Sequence, residues 1–136
     1  MTREKKTRKK RNFPEPLYLE NVKAILGRRI ELERRSRGMN QAGLGKHIGL
    51  GVAWVRNLEG GYPKVRLEQY FASLDTLGIS VLTMCVPLLF IIHGRKYPPH
   101  LLFSDMRRLE SAIIDFVIEW NVSDVKATLA RDRDGQ

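Results

Sequence analysis

Apolar residues recur at helical spacing along most of the chain, and alternating apolar and polar runs of the kind that make half-buried strands are almost absent. FPEPLY (13–18) holds two prolines that break any early helix. From residue 19 to Arg37, Val22, Ile25, Leu26, Ile30 and Leu32 mark a first helix, with Gly38 as its stop. Asn40 reads as the N-cap of a short helix to about Ile48, and Gly49 as a left-handed residue at a sharp turn. Another helix spans about Val52 to Leu58 and ends at GGYP (60–63). Leu67, Tyr70, Phe71, Leu74 and Leu77 share one face of the next, which stops at Gly78. Ser80 then caps a short turn, 81–85, ahead of Pro87. The pattern predicts five short helices between residues 19 and 85.

Glycines crowd the middle of this pattern. In NQAGLGKHIGLGVAWVRNLEGG (40–61), Gly43, Gly45, Gly49 and Gly51 interrupt helices whose apolar positions are Leu44, Ile48, Val55 and Leu58. Each glycine in a helix interior costs roughly 0.5–1 kcal/mol relative to alanine. Gly49 falls where two helices must meet steeply. Gly45 falls on the inner face, where a side chain would hold them apart. Gly43 and Gly51 have no such need, and Gly51 serves at most as a weak N-cap.

Beyond Pro87 the pattern changes. GRKYPP (94–99) reads as a loop, and SDMRRLESAIIDFVIEW (104–120) as a helix with Ser104 as N-cap and Asp105 in its first turn. Met106, Leu109, Ile113, Val117 and Trp120 form its stripe, which Ile114, Phe116 and Ile118 widen past half the circumference. That is too much apolar surface for one helix lying on a small domain. The expectation is burial between two protomers or against residues 86–92. Ser123 caps a final short helix before RDRDGQ.

The chain has 136 residues and is 43% hydrophobic, which suits one domain of ordinary size with an extension. Its longest apolar stretch, 79–92, holds Pro87 and is shorter than the roughly 20 residues needed to cross a bilayer. The first twelve residues are charged, unlike a signal peptide, and Cys85 alone excludes an internal disulfide. A soluble, cytoplasmic (nucleoid-associated) protein is expected, with no membrane partner. Residues 1–12 contribute seven Lys/Arg and one Glu, a local +6 of the formal +9. This arm, including Lys5, Lys6, Arg8, Lys9, Lys10 and Arg11, is self-repelling, expected to be disordered, and suited to a polyanion such as nucleic acid; the plainer reading is a solubilising tail. The expected divisions are a basic arm (1–17), a helical domain (18–85) and a C-terminal extension (86–136).

Little points to catalysis. Cys85, His93 and His100 match no recognised zinc spacing and lack a fourth ligand. There is no phosphate-binding glycine loop, no Gly-x-Ser-x-Gly and no His-Glu-x-x-His. Glu59, Asp75 and Glu110 lie on different helices without evident pairing. No enzyme activity, metal or cofactor is expected.

Residues 26–85 resemble the phage-repressor/Cro-type helix-turn-helix family of DNA-binding domains. The resemblance is carried by Met39-Asn40-Gln41, Leu44-Gly45, Ile48-Gly49-Leu50-Gly51, Val55, Leu58-Glu59 and Gly61, in place of the family's Leu-Ser-Gln, Leu and a small residue, Leu/Ile-Gly-Val-Ser, Ile, Ile-Glu and Gly. Gly45 replaces the usual alanine, Gly51 the usual serine or threonine cap, and Leu32-Glu33 reverses the common order in the first helix. The resemblance implies an all-α, five-helix repressor-like domain with its second motif helix in a major groove. By the same resemblance Val52, Ala53, Arg56 and Asn57 contact bases, while Gln41, Lys64 and Trp54 contact phosphates, Trp54 alternatively packing against its neighbour helix. Arg34 and Glu59 match a structural ion pair of the family. Arg56 suits guanine O6/N7 and Asn57 adenine N6/N7. The function so implied is a transcriptional regulator, a repressor, binding double-stranded DNA at an inverted repeat as a homodimer. The alternative is an antitoxin-like or adaptor protein that holds a protein partner through 104–120.

Overall fold

A computed structural model describes residues 16–135 of the chain, and all regular structure among them is helical. The basic-arm residues through Arg11 lie outside the described part. Helix α1 (Leu17–Ser36) is the central element. One face of it buries Val22, Leu26 and Ile30 completely, at the i, i+4 spacing that stacks side chains along a helix. Around it stand α2 (Gln41–Ile48), α3 (Val52–Glu59), α4 (Leu67–Leu77) and α5 (Leu82–Ile92). Leu44, Val55, Leu58, Val65, Tyr70, Leu74 and Leu77 complete the core, with Met84, Leu88 and Ile91 of α5 packed on its edge.

The caps follow from the sequence. The Asn40 side chain accepts the Gly43 N–H at 2.7 Å, and Gly49 closes α2 with φ +71°. Gly78 closes α4 in the same left-handed region, φ +62°. Such angles carry no penalty for glycine alone.

Two expectations are corrected. The 81–85 turn is instead α5, which runs through Pro87 to Ile92 and so crosses the expected division at 85/86. Pro87 removes one backbone hydrogen bond, a cost of about 3 kcal/mol in a helix interior. Burial compensates: Pro87 and Thr83 are both buried, and α5 packs along α1. The second correction concerns the C-terminal part. A 3-10 turn occupies Pro99–Phe103, and a single 28-residue helix, α6 (Arg107–Asp134), replaces the two helices expected from 104 and 123. Ser104 ends the 3-10 turn rather than capping α6, while the Asp105 carboxylate accepts the Arg107 N–H at 3.1 Å. No glycine or proline lies between Arg107 and Asp134 to stop the helix, so Asn121 and Ser123 sit in its interior. α6 contains no buried residue at all.

Candidate functional site

The two short helices α2 and α3 are joined by three residues, Gly49 to Gly51. A Cβ at Gly45 would press into the Leu50 carbonyl oxygen and reach 3.3 Å from Val55 Cγ2, so α2 approaches this turn at glycine distance. Gly27 of α1 does the same for the end of α3: a Cβ there would lie 2.5 Å from both the Leu58 and Glu59 carbonyl oxygens. Gly51 meets nothing, and provides no side-chain cap to α3.

Helix α3 turns Val55, Leu58 and Glu59 inward. Val52, Ala53 and Arg56 are exposed on the other side, and Asn57 is half-buried beside them. These four positions follow the i, i+1, i+4, i+5 spacing of one helical edge. Such an edge, with a guanidinium and an amide among its side chains, offers donors and acceptors suited to base edges.

The inner side of α3 is fixed by polar bonds as well as by packing. Arg34 of α1 grips Glu59 in a two-point contact, Nε to Oε2 at 2.7 Å and Nη2 to Oε1 at 2.9 Å. A third Arg34 nitrogen donates to the Met39 carbonyl at 2.8 Å, ahead of α2. The Glu59 carboxylate raises Arg34 above its ordinary guanidinium value. Gln41, expected at a phosphate, donates its amide to Glu59 Oε1 at 3.0 Å and remains half-buried at the first position of α2. Thus α1, the start of α2 and the end of α3 share one buried charge network.

Trp54 is half-buried against the core, and its indole N–H donates to Gln69 Oε1 at 2.9 Å. An indole has one donor only. A phosphate contact through Trp54 would therefore require this bond to break, and packing is the role the structure displays. Gln69 Oε1 also accepts the Arg66 N–H at 3.2 Å, so one side chain ties α3 to the start of α4. Nothing in the sequence spacing singled Gln69 out; its role depends on α3 and α4 meeting in space.

Lys64 is exposed in the loop after α3. That loop is anchored by the fully buried Val65 and by Lys23, whose ammonium donates to the Pro63 carbonyl at 2.7 Å. Gly61, with φ +72°, lies so close to α1 that a Cβ would stand 2.6 Å from Ala24 Cα. Arg66, exposed two residues on, is a second cation of the loop that the family pattern did not indicate. Comparison with protein-family models, curated proteins and solved structures found no match.

Elsewhere, Cys85 is free and exposed, and no three His, Cys, Asp or Glu side chains converge as a metal set among the described residues. No described helix is long and apolar enough to cross a membrane.

Proposed function

We propose that the chain is a sequence-specific DNA-binding regulator of transcription, acting as a homodimer on an inverted repeat. The observation that carries this reading is the outward edge of α3. Val52, Ala53 and Arg56 face solvent, Asn57 lies beside them, and every inward position of the helix is locked by the core or by Arg34. A rigid support matters because base readout needs side chains held in register with the duplex. Lys64 and Arg66, on an anchored loop, add cations for phosphates, and the basic residues of 1–12 add a sequence-independent attraction. Repressor-like helix-turn-helix architecture is part of this proposal, supported by the glycine-tight turn between α2 and α3.

Selection of bound duplexes from random oligonucleotides tests it. A single enriched motif with two-fold symmetry is expected. Arg56→Ala should relax preference at one base position by about 1–3 kcal/mol, whereas Lys64→Ala should weaken all sequences alike. Removing residues 1–12 should flatten the salt dependence by close to one unit of slope for each phosphate the arm neutralises. No enrichment over bulk DNA, or identical effects of Arg56→Ala and Lys64→Ala, ends the reading.

The exposure of α6 favours a second reading, in which the chain neutralises a protein partner through residues 104–120 while repressing through α3. A large exposed apolar surface usually marks an interface. A chain whose α6 stays exposed in its own assembled form supports the second reading over the first.

A further inference from the structure

Most apolar residues of α6 fall into two stripes, with Val117 between them. Drawn at about 100° per residue, Leu109, Ile113, Phe116, Trp120 and Ala127 lie within about 60° of one another, and Ile114, Ile118, Val122, Val125 and Leu129 lie on the opposite side. Every large member of both stripes is exposed. The first stripe has a property the second lacks: its bulky residues occupy the N-terminal half, and Ser123, Ala127 and Ala130 continue it as small residues. Phe116, Glu119, Trp120 and Ser123, spaced i, i+3, i+4, i+7, together with Asp124 line a surface depression on this face. Four residues at that spacing form the hole that receives a side chain from a facing helix.

We infer that α6 pairs with α6 of a second copy of this chain, antiparallel, through the Ile113–Phe116–Trp120 stripe. Size and charge both select that arrangement. Reversing one helix about a point between Asn121 and Val122 sets Ile113 against Ala130, Phe116 against Ala127 and Trp120 against Ser123, a large side chain over a small one in these three layers, while Leu109 meets Asp134 at either end. The same register sets Glu110 beside Arg131 and Glu119 beside Lys126, each pair occurring twice. A parallel pair would stack Trp120 on Trp120 and leave Ala127 on Ala127, with gaps that cost dispersion contacts. It would also bring Glu119 to Asp124 and Lys126 to Arg131, like charges throughout. The antiparallel pair holds the two α6 starts about 44 Å apart at 1.5 Å rise per residue.

This deepens the homodimer half of the proposed function and is independent of DNA, so its test uses the full chain without nucleic acid. Light scattering at micromolar concentration should give the mass of two chains or an even multiple. Glu119→Lys should weaken association about tenfold or more, and Glu119→Lys with Lys126→Glu should restore it. The single change gives position 119 a sign opposite to Asp115, four residues earlier, which favours the isolated helix; weakened association therefore reports the intermolecular pair. In a Cys85→Ser background, mixed Ile113→Cys and Ala130→Cys chains should form a disulfide-linked dimer under mild oxidation, while neither does so alone. A single-chain mass, unchanged association of Glu119→Lys, or cross-linking of Ala130→Cys with itself overturns the inference.

Discussion

Replacing Gly45 by alanine sets two well-characterised effects against each other. Gly45 lies inside α2, where alanine is favoured by about 1 kcal/mol in intrinsic helix propensity. It is also the residue that the repressor-like pattern would lead one to install. Yet the added Cβ would enter the Leu50 carbonyl oxygen and approach Val55 Cγ2 to 3.3 Å. Both neighbours are constrained: Leu50 follows the left-handed Gly49 in a three-residue turn and donates its N–H to the Gly45 carbonyl at 2.9 Å, and Val55 is fully buried. Relief therefore needs the backbone of the turn to move, and overpacking of that kind typically costs about 1–3 kcal/mol. Since the clash falls on backbone, a value toward the upper end applies, and the net expectation is a loss of about 1–2 kcal/mol after the propensity gain. Urea unfolding followed by helical circular dichroism measures it, with the midpoint falling and the slope unchanged. In a thermal scan the same loss corresponds to roughly 4–16 °C for a domain of this size. A raised urea midpoint would show that α2 and α3 approach each other more loosely than these distances require and that the glycine serves no packing need.

Gly51→Ser is the converse case: its Cβ meets nothing, its φ of −70° suits any residue, and a serine cap on α3 should stabilise by a few tenths of a kcal/mol in the same unfolding assay. Arg34→Ala should cost about 3–5 kcal/mol, because Glu59, with its side chain 4% exposed, would keep a buried charge with only Gln41 as donor. Replacing Arg34 and Glu59 together by Met and Leu should recover most of that loss, and failure of the pair to recover would point to a cavity rather than an orphaned charge. Arg29 above all, then Arg37 more weakly, holds the Glu33 carboxyl below its ordinary value against the opposing effect of burial. A depressed folded value means stability that is present at neutral pH and lost as pH falls through it. Glu33→Gln should thus cost up to about 1 kcal/mol at pH 7, after allowance for solvent screening, and progressively less as pH falls through the carboxyl's depressed value. A gap that persists in acid would mean that the ion pairs are not its source.

Local signals in the chain were enough to place four of the helices near their true bounds. Asn40, Gly49 and Gly78 act within one turn of themselves, so their capping roles can be read without knowing what surrounds them. The core stripes of α1 and α4 were legible for the same reason, because burial of one face imposes its period on the sequence. Pro87 misled because its cost is local and its compensation is not: α5 persists through it by packing on α1, a helix far back in the chain. Ser104 and Ser123 misled in a related way, since a serine can cap a helix or ride inside one, and only the course of the backbone distinguishes them. Among the candidate site residues, Gln69 and the anchoring of the 62–66 loop by Lys23 depend on elements meeting in space. The sequence by itself determined helix content, the sharp turn after α2 and the uneven charge. That Gly27 and Gly61 are packing requirements beside Gly45, where α6 begins and that it stands clear of the core were decided by the tertiary structure, because each depends on distances between segments that the order of residues does not contain.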